Sequence, residues 1–167
     1  MDLETRLRAM EITATVAGGA VRGSMRNRKV ELNIDSDEVY DNSDPETLAW
    51  QLSRLLTLLF DNRRQGHWRA VSASAGYPIQ GRMAAPTPRH DEFRQKQADL
   101  LLSGASDDQR IVVESVGLRQ FSVDLTADVI NSLDWRAFRS GFRAAVDDLW
   151  MDYREACRRL RREVGLS

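Results

Sequence analysis

The sequence predicts an α+β fold in which one unit, an antiparallel β-meander followed by a long amphipathic helix, occurs twice in the chain. Three observations carry that prediction. Residues 20–64 alternate as two strands around a tight turn and then place apolar residues at helical spacing. Residues 110–154 repeat the plan about ninety positions later. At 167 residues, with 42% hydrophobic and 29% charged side chains, the chain suits one packed core or two small ones fused across an interface.

Leu3, Leu7 and Met10 share a face of a short helix over 3–10. Residues 11–17 alternate, with Ile12, Ala14 and Val16 inward, and Gly18-Gly19 turns the chain into a strand over 20–26. Val21, Gly23 and Met25 occupy one face of that strand. Val30, Leu32 and Ile34 occupy one face of the next, and the Asn of Arg26-Asn27-Arg28 suits the positive φ of a hairpin turn. After an acidic loop, Ser43 is positioned to cap a helix, with Pro45 in its first turn and Glu46 completing a capping box. Leu48, Leu52, Leu55, Leu56, Leu59 and Phe60 then form an apolar stripe.

Residues 65–88 hold three glycines, three prolines and several small polar residues, and read as a linker or irregular segment. Thr87 can cap a helix over 89–103 on which Phe93, Gln97, Leu100 and Leu101 share a face. Residues 104–108 form a turn, and strands at 109–116 and 118–125 meet at Gly117. A last helix begins near Leu133 and runs to Glu163. Phe138, Phe142, Val146, Leu149, Tyr153, Cys157, Leu160 and Val164 form its stripe. Thirty helical residues span roughly 45 Å, so the final turns are expected to project or to pack on another copy or on the first half.

The repeat is a matter of register. Phe121, Val123 and Leu125 answer Val30, Leu32 and Ile34; one residue then drops out, and Asp44, Leu48, Leu52 and Phe60 are answered by Asp134, Phe138, Phe142 and Trp150. The expected organisation is a first half at 1–64, a linker at 65–88 and a second half at 89–167. The first half then has three strands, and the second shows only a strand pair.

No catalytic constellation appears. His67 and His90 lie far from the single cysteine, Cys157, and no phosphate-binding glycine motif is present. His90-Asp91-Glu92 is accounted for by carboxylates at a helix N-terminus. The expectation is a protein without enzymatic activity, metal or cofactor. The N-terminal MDLETRLRAM carries no apolar stretch of signal-peptide type, no segment approaches a membrane span, and one cysteine suits a reducing cytoplasm.

Residues 14–60 resemble the YbaB/EbfC family of small bacterial nucleoid-associated proteins. The resemblance rests on Ala17-Gly18-Gly19-Ala20-Val21, the turn at Asn27, Val30-Glu31-Leu32-Asn33-Ile34-Asp35, and Asp44-Pro45-Glu46 leading to Leu48. It implies a homodimerising fold that binds duplex DNA with little sequence preference. In this longer chain it implies two copies forming a pseudo-dimer, either monomeric or as a further homodimer. It also suggests an alternative role as a protein–protein adaptor or secretion-associated chaperone.

Two basic groupings are the DNA-contact candidates. One is Arg22, Arg26, Arg28 and Lys29 around the hairpin; the other is Arg154, Arg158, Arg159, Arg161 and Arg162 at the chain's end. A net charge of −1 weighs against strong binding. For the adaptor role, Tyr153, Cys157, Leu160 and Val164 are the surface expected to receive a partner helix.

Overall fold

Alternation of small apolar and polar residues builds two three-stranded sheets, and a long helix follows each. A computed structural model describes residues 2–79 and 87–166. Helix α1 (Leu3–Ala9) starts at Asp2, whose carboxylate accepts the Thr5 N–H at 2.7 Å. Strands β1 (Glu11–Val16), β2 (Val21–Arg26) and β3 (Lys29–Ile34) follow, paired antiparallel in the order β1-β2-β3. Gly18 and Gly19, both at positive φ, reverse the chain between β1 and β2. Asn27 and Arg28, at φ 48° and 69°, form the two-residue turn between β2 and β3, where Arg26 pairs with Lys29. Two left-handed residues give a hairpin turn whose twist matches that of its strands.

The second half repeats this order. Helix α4 (Pro88–Ala98) is followed by β4 (Leu101–Ala105), β5 (Ile111–Val116) and β6 (Gln120–Leu125), again in sequential antiparallel order. A short helix precedes each long one: α2 (Asp37–Asp41) before α3 (Pro45–Ala75), and α5 (Val129–Ser132) before α6 (Trp135–Glu163). Asp44 and Asp134 cap the long helices, accepting the N–H of Thr47 at 2.9 Å and of Ala137 at 2.7 Å.

The architecture is therefore α+β, as expected, with several boundaries corrected. The helix expected over 89–103 ends at Ala98, and Leu101–Ala105, expected as its end and a turn, is a strand. That strand is the counterpart of β1: Leu102 faces Ser115 as Ile12 faces Met25. The hairpin strands are shorter than expected, with Gly117 to Arg119 between them. The expected linker at 65–88 is helical as far as Ala75, so α3 runs through the boundary drawn at 64; residues 80–86 of that segment lie outside those described. The cap of α3 is Asp44, one residue beyond Ser43. The Ser43 hydroxyl instead donates to the Val39 carbonyl and closes α2.

Each long helix covers two strands of its own sheet and one of the other. α3 crosses β1 and β2 and continues over β6, while α6 crosses β4 and β5 and continues over β3. Side chains reach between the halves at every level of this overlap. Ser53 on α3 accepts the Val123 N–H at 2.8 Å, and Phe60 packs on Phe121 with ring centres 4.4 Å apart. Arg139 and Arg143 on α6 both pair with Glu31 on β3. At one end, Tyr40 donates to the Leu133 carbonyl at 2.9 Å, with the Val129 carbonyl 3.3 Å away, and packs on Trp135 and Phe138.

Leu52, Leu55, Leu56, Leu59, Phe138, Phe142, Ala145 and Leu149 are fully buried, and they belong to one apolar cluster drawn from both halves. Burial of such side chains contributes about 1.5–3 kcal/mol each, which makes this shared interior the main stabilising element.

Candidate functional site

The hairpin cations do not act as one group. Arg22 lies on the outer sheet face, where it pairs with Asp35 and donates to the Gly19 carbonyl at 3.1 Å. Arg26 pairs with Glu11 at 2.9 Å, and Lys29 reaches Asp147 on α6 at 2.9 Å. Three of the four expected contacts are thus paired with carboxylates, because these strand residues face acidic residues on the adjoining strand or helix. Arg28 is the exception. It extends from the turn with its guanidinium 5.3 Å from the centre of the Trp150 ring.

The C-terminal arginines are exposed on α6. Arg154, Arg158 and Arg162 recur every four residues, so they share one face, and none has an ion pair among the described residues. Arg159 stands 3.7 Å from Glu155, and Arg161 lies over the Phe93 ring at 5.5 Å. Trp150, one turn before Arg154, is where Arg28 meets this helix. The hairpin grouping thus meets α6 through Arg28 at Trp150 and Lys29 at Asp147, on the N-terminal side of the arginine row.

The expected partner surface is already covered. Leu160 and Val164 are buried, and α4 packs on this end of α6. Gln97 donates to the Tyr153 hydroxyl at 2.7 Å and lies 3.6 Å from the Cys157 sulfur. The stripe does not project as an open face because the chain supplies its own helix to it. Burial first, and then Cys157, pushes the Tyr153 hydroxyl up to about 12.

A cleft that the sequence reading did not single out lies at the matching end of the first half. It has a volume of about 410 Å³ and is walled by α1, the β2–β3 turn and α3. Leu7, Met10, Ile12 and Met25 line it with apolar groups. Arg28, Arg63 and His67 line it with cationic or basic ones, along with an Arg8–Glu4 ion pair. Arg63 shares Trp150 with Arg28, its guanidinium 5.5 Å from the ring centre.

Neither Arg28 nor Arg63 has a carboxylate partner among the described residues. Burial, and next the charge of Arg28, lowers the proton affinity of Arg63; burial, and next Arg63, lowers that of His67. Both shifts have the sign that removal from water gives a cationic group, and the neighbouring arginine adds to it.

A signal for this cleft was present in the repeat. The long helices and the first strands correspond at a shift of 90 residues, which places Arg63 and His67 opposite Tyr153 and Cys157. Basic groups thus occur at positions that are neutral in the other half.

Among the described residues, no group of three His, Cys, Asp or Glu could hold a metal ion, and no helix is long and apolar enough to cross a membrane. No family model matches the chain, and no curated protein or solved structure is similar to it at a significant level.

Proposed function

We propose that this protein is a non-enzymatic, cytoplasmic nucleoid-type protein that associates with duplex DNA through the outer face of α6, with little sequence preference. The observation that carries the reading is the row formed by Arg154, Arg158 and Arg162, exposed and without ion pairs among the described residues. At 1.5 Å per residue the row extends about 12 Å, comparable to the width of the B-DNA major groove, so a helix lying across the groove could reach phosphates on both rims. Arg28 adds a guanidinium beside Trp150, one turn before the row. The matching order of elements in the two halves supports the kinship with YbaB/EbfC proteins and the pseudo-dimer that such kinship entails. The adaptor role has less to support it, since α4 already occupies the stripe assigned to a partner helix.

Gel retardation of a random-sequence duplex tests the reading. Retardation is expected at about 50 mM salt and is expected to weaken steeply as salt rises. Replacing Arg154, Arg158 and Arg162 together by Ala is expected to flatten the dependence of log affinity on log salt by about 2.7, at about 0.9 per lost phosphate contact. Absence of retardation with folded protein, or an unchanged slope in the triple variant, overturns the proposal.

A further inference from the structure

We propose that the cleft between α1, the β2–β3 turn and α3 binds a small amphipathic anion, with a carboxylate or phosphate monoester head on an apolar body of about ten carbons. The floor and the rim make separate demands on the occupant. Leu7, Met10, Ile12 and Met25 offer no hydrogen-bonding side chain beyond a weakly accepting sulfur, so what lies against them must be apolar. At the rim, Arg28 and Arg63 bring two guanidinia to the same indole with no carboxylate between them. His67 follows Arg63 by one helical turn on the same side of α3. Glu4 is the acidic side chain in the lining, and it is engaged by Arg8. The cleft therefore carries positive charge over an apolar base, and both features are satisfied together by one amphipathic anion.

The second half shows how this position closes when the chain supplies the filling. There Tyr153 stands at the place of Arg63, hydrogen-bonded to Gln97, and the corresponding turn, Gly117 to Arg119, carries the buried Leu118. A ring, an amide and an aliphatic side chain complete that end from within. In the first half, the cations remain at the edge of an open volume that lies within the range of small-molecule pockets. The inference does not require DNA association, because Arg154, Arg158 and Arg162 lie outside the cleft; Arg28 is the residue that the two readings share.

Calorimetric titration with sodium decanoate, decyl phosphate, decanol and inorganic phosphate, paired with backbone amide NMR shifts, tests the proposal. At least one of the two amphipathic anions is expected to bind with a dissociation constant on the order of 0.1 mM. The shifts are expected to gather at Leu7–Ile12, Met25–Arg28 and Arg63–His67. Decanol and inorganic phosphate should each bind at least about tenfold more weakly, since each satisfies only the floor or only the rim.

Arg28→Gly removes one guanidinium at a backbone position with φ 69°, where glycine is at ease, so this variant is expected to fold. It should weaken binding about tenfold, and Arg63→Tyr should do so at least as strongly. Arg158→Ala should leave binding unchanged. The proposal fails if neither amphiphile binds folded protein near 1 mM, ten times the expected dissociation constant. It also fails if the shifts map elsewhere, if Arg28→Gly binds as the parent does, or if inorganic phosphate alone binds equally well.

Discussion

Arg63 and Tyr153 hold the same place on α3 and α6, ninety residues apart, yet the chain treats the space before them differently. In front of Tyr153, the longer helix α4 brings Phe93 and Gln97, and that end of the molecule is filled. In front of Arg63, the seven-residue helix α1 brings Leu7, Arg8 and Glu4, and a cleft remains. Shared core positions hold the two halves in register, while their outer ends have taken different chemistry. One end is neutral and closed; the other is cationic and open. The difference separates what the fold requires from what is free to serve a ligand.

Glycine gives the sharpest test of how far the likeness extends inward. On β4, Gly104 lies so near α6 that an added Cβ would fall 2.3 Å from the Ala145 oxygen and the Leu149 nitrogen, both backbone atoms. On β2, a Cβ at Gly23 would meet the side-chain tips of Leu55 and Leu59 at 3.0 Å. Backbone cannot yield as a leucine tip can. Gly104→Ala is therefore expected to destabilise by about 3 kcal/mol and Gly23→Ala by about 1 kcal/mol. Urea unfolding midpoints at constant slope would check both, and equal costs would mean that the helices sit on their sheets alike.

A second asymmetry joins the halves at the opposite end from the cleft. Tyr40 donates across to the Leu133 carbonyl, whereas Ile130, its counterpart, has no side-chain donor. Tyr40→Phe should cost about 1–3 kcal/mol, since it leaves a carbonyl unpaired in a partly buried place. Burial, then the charges of Asp41 and Asp134, pushes the Tyr40 hydroxyl from its usual 10.0 up to about 12. Because the folded value is the higher one, this contribution is complete below pH 10 and is lost as pH rises through about 12. Tyr153 behaves similarly, so Tyr40→Phe should reduce the alkaline loss of stability measured by denaturant titration without abolishing it.

The smallest effects should be equal. Asp44→Ala and Asp134→Ala each remove one cap, and each is expected to cost about 1 kcal/mol in thermal or chemical unfolding. Unequal costs would mean that one long helix depends on its first turn more than the other does.

Much of this fold is legible in the residues themselves. The alternation through Val30, Leu32 and Ile34 and the stripe from Leu48 to Phe60 each have a single period, and each forms the element that period implies. Strand β4 was hidden because Leu100 and Leu101 continue the helical spacing begun at Phe93 and Gln97. Only pairing with β5 turns Leu102 inward and leaves Leu101 exposed. The last turns of α3 were hidden for another reason: they lie beyond the shared core, so small and polar residues suffice there and the periodic signal fades. The cleft depends on side chains from residues 4 to 67 converging in space, which no local pattern records. The ion pairs of Arg22, Arg26 and Lys29 were not legible from charge alone, because their carboxylate partners are distant in sequence.

The reach of α3 over β6 also bears on how the chain is made. Phe60 emerges from the ribosome roughly ninety residues before Trp150, the ring that helps to cover it, an interval of about 5–20 s at ordinary synthesis rates. Over that interval the flank of α3 that meets β6 and Trp150 in the finished fold has no partner for its apolar side chains.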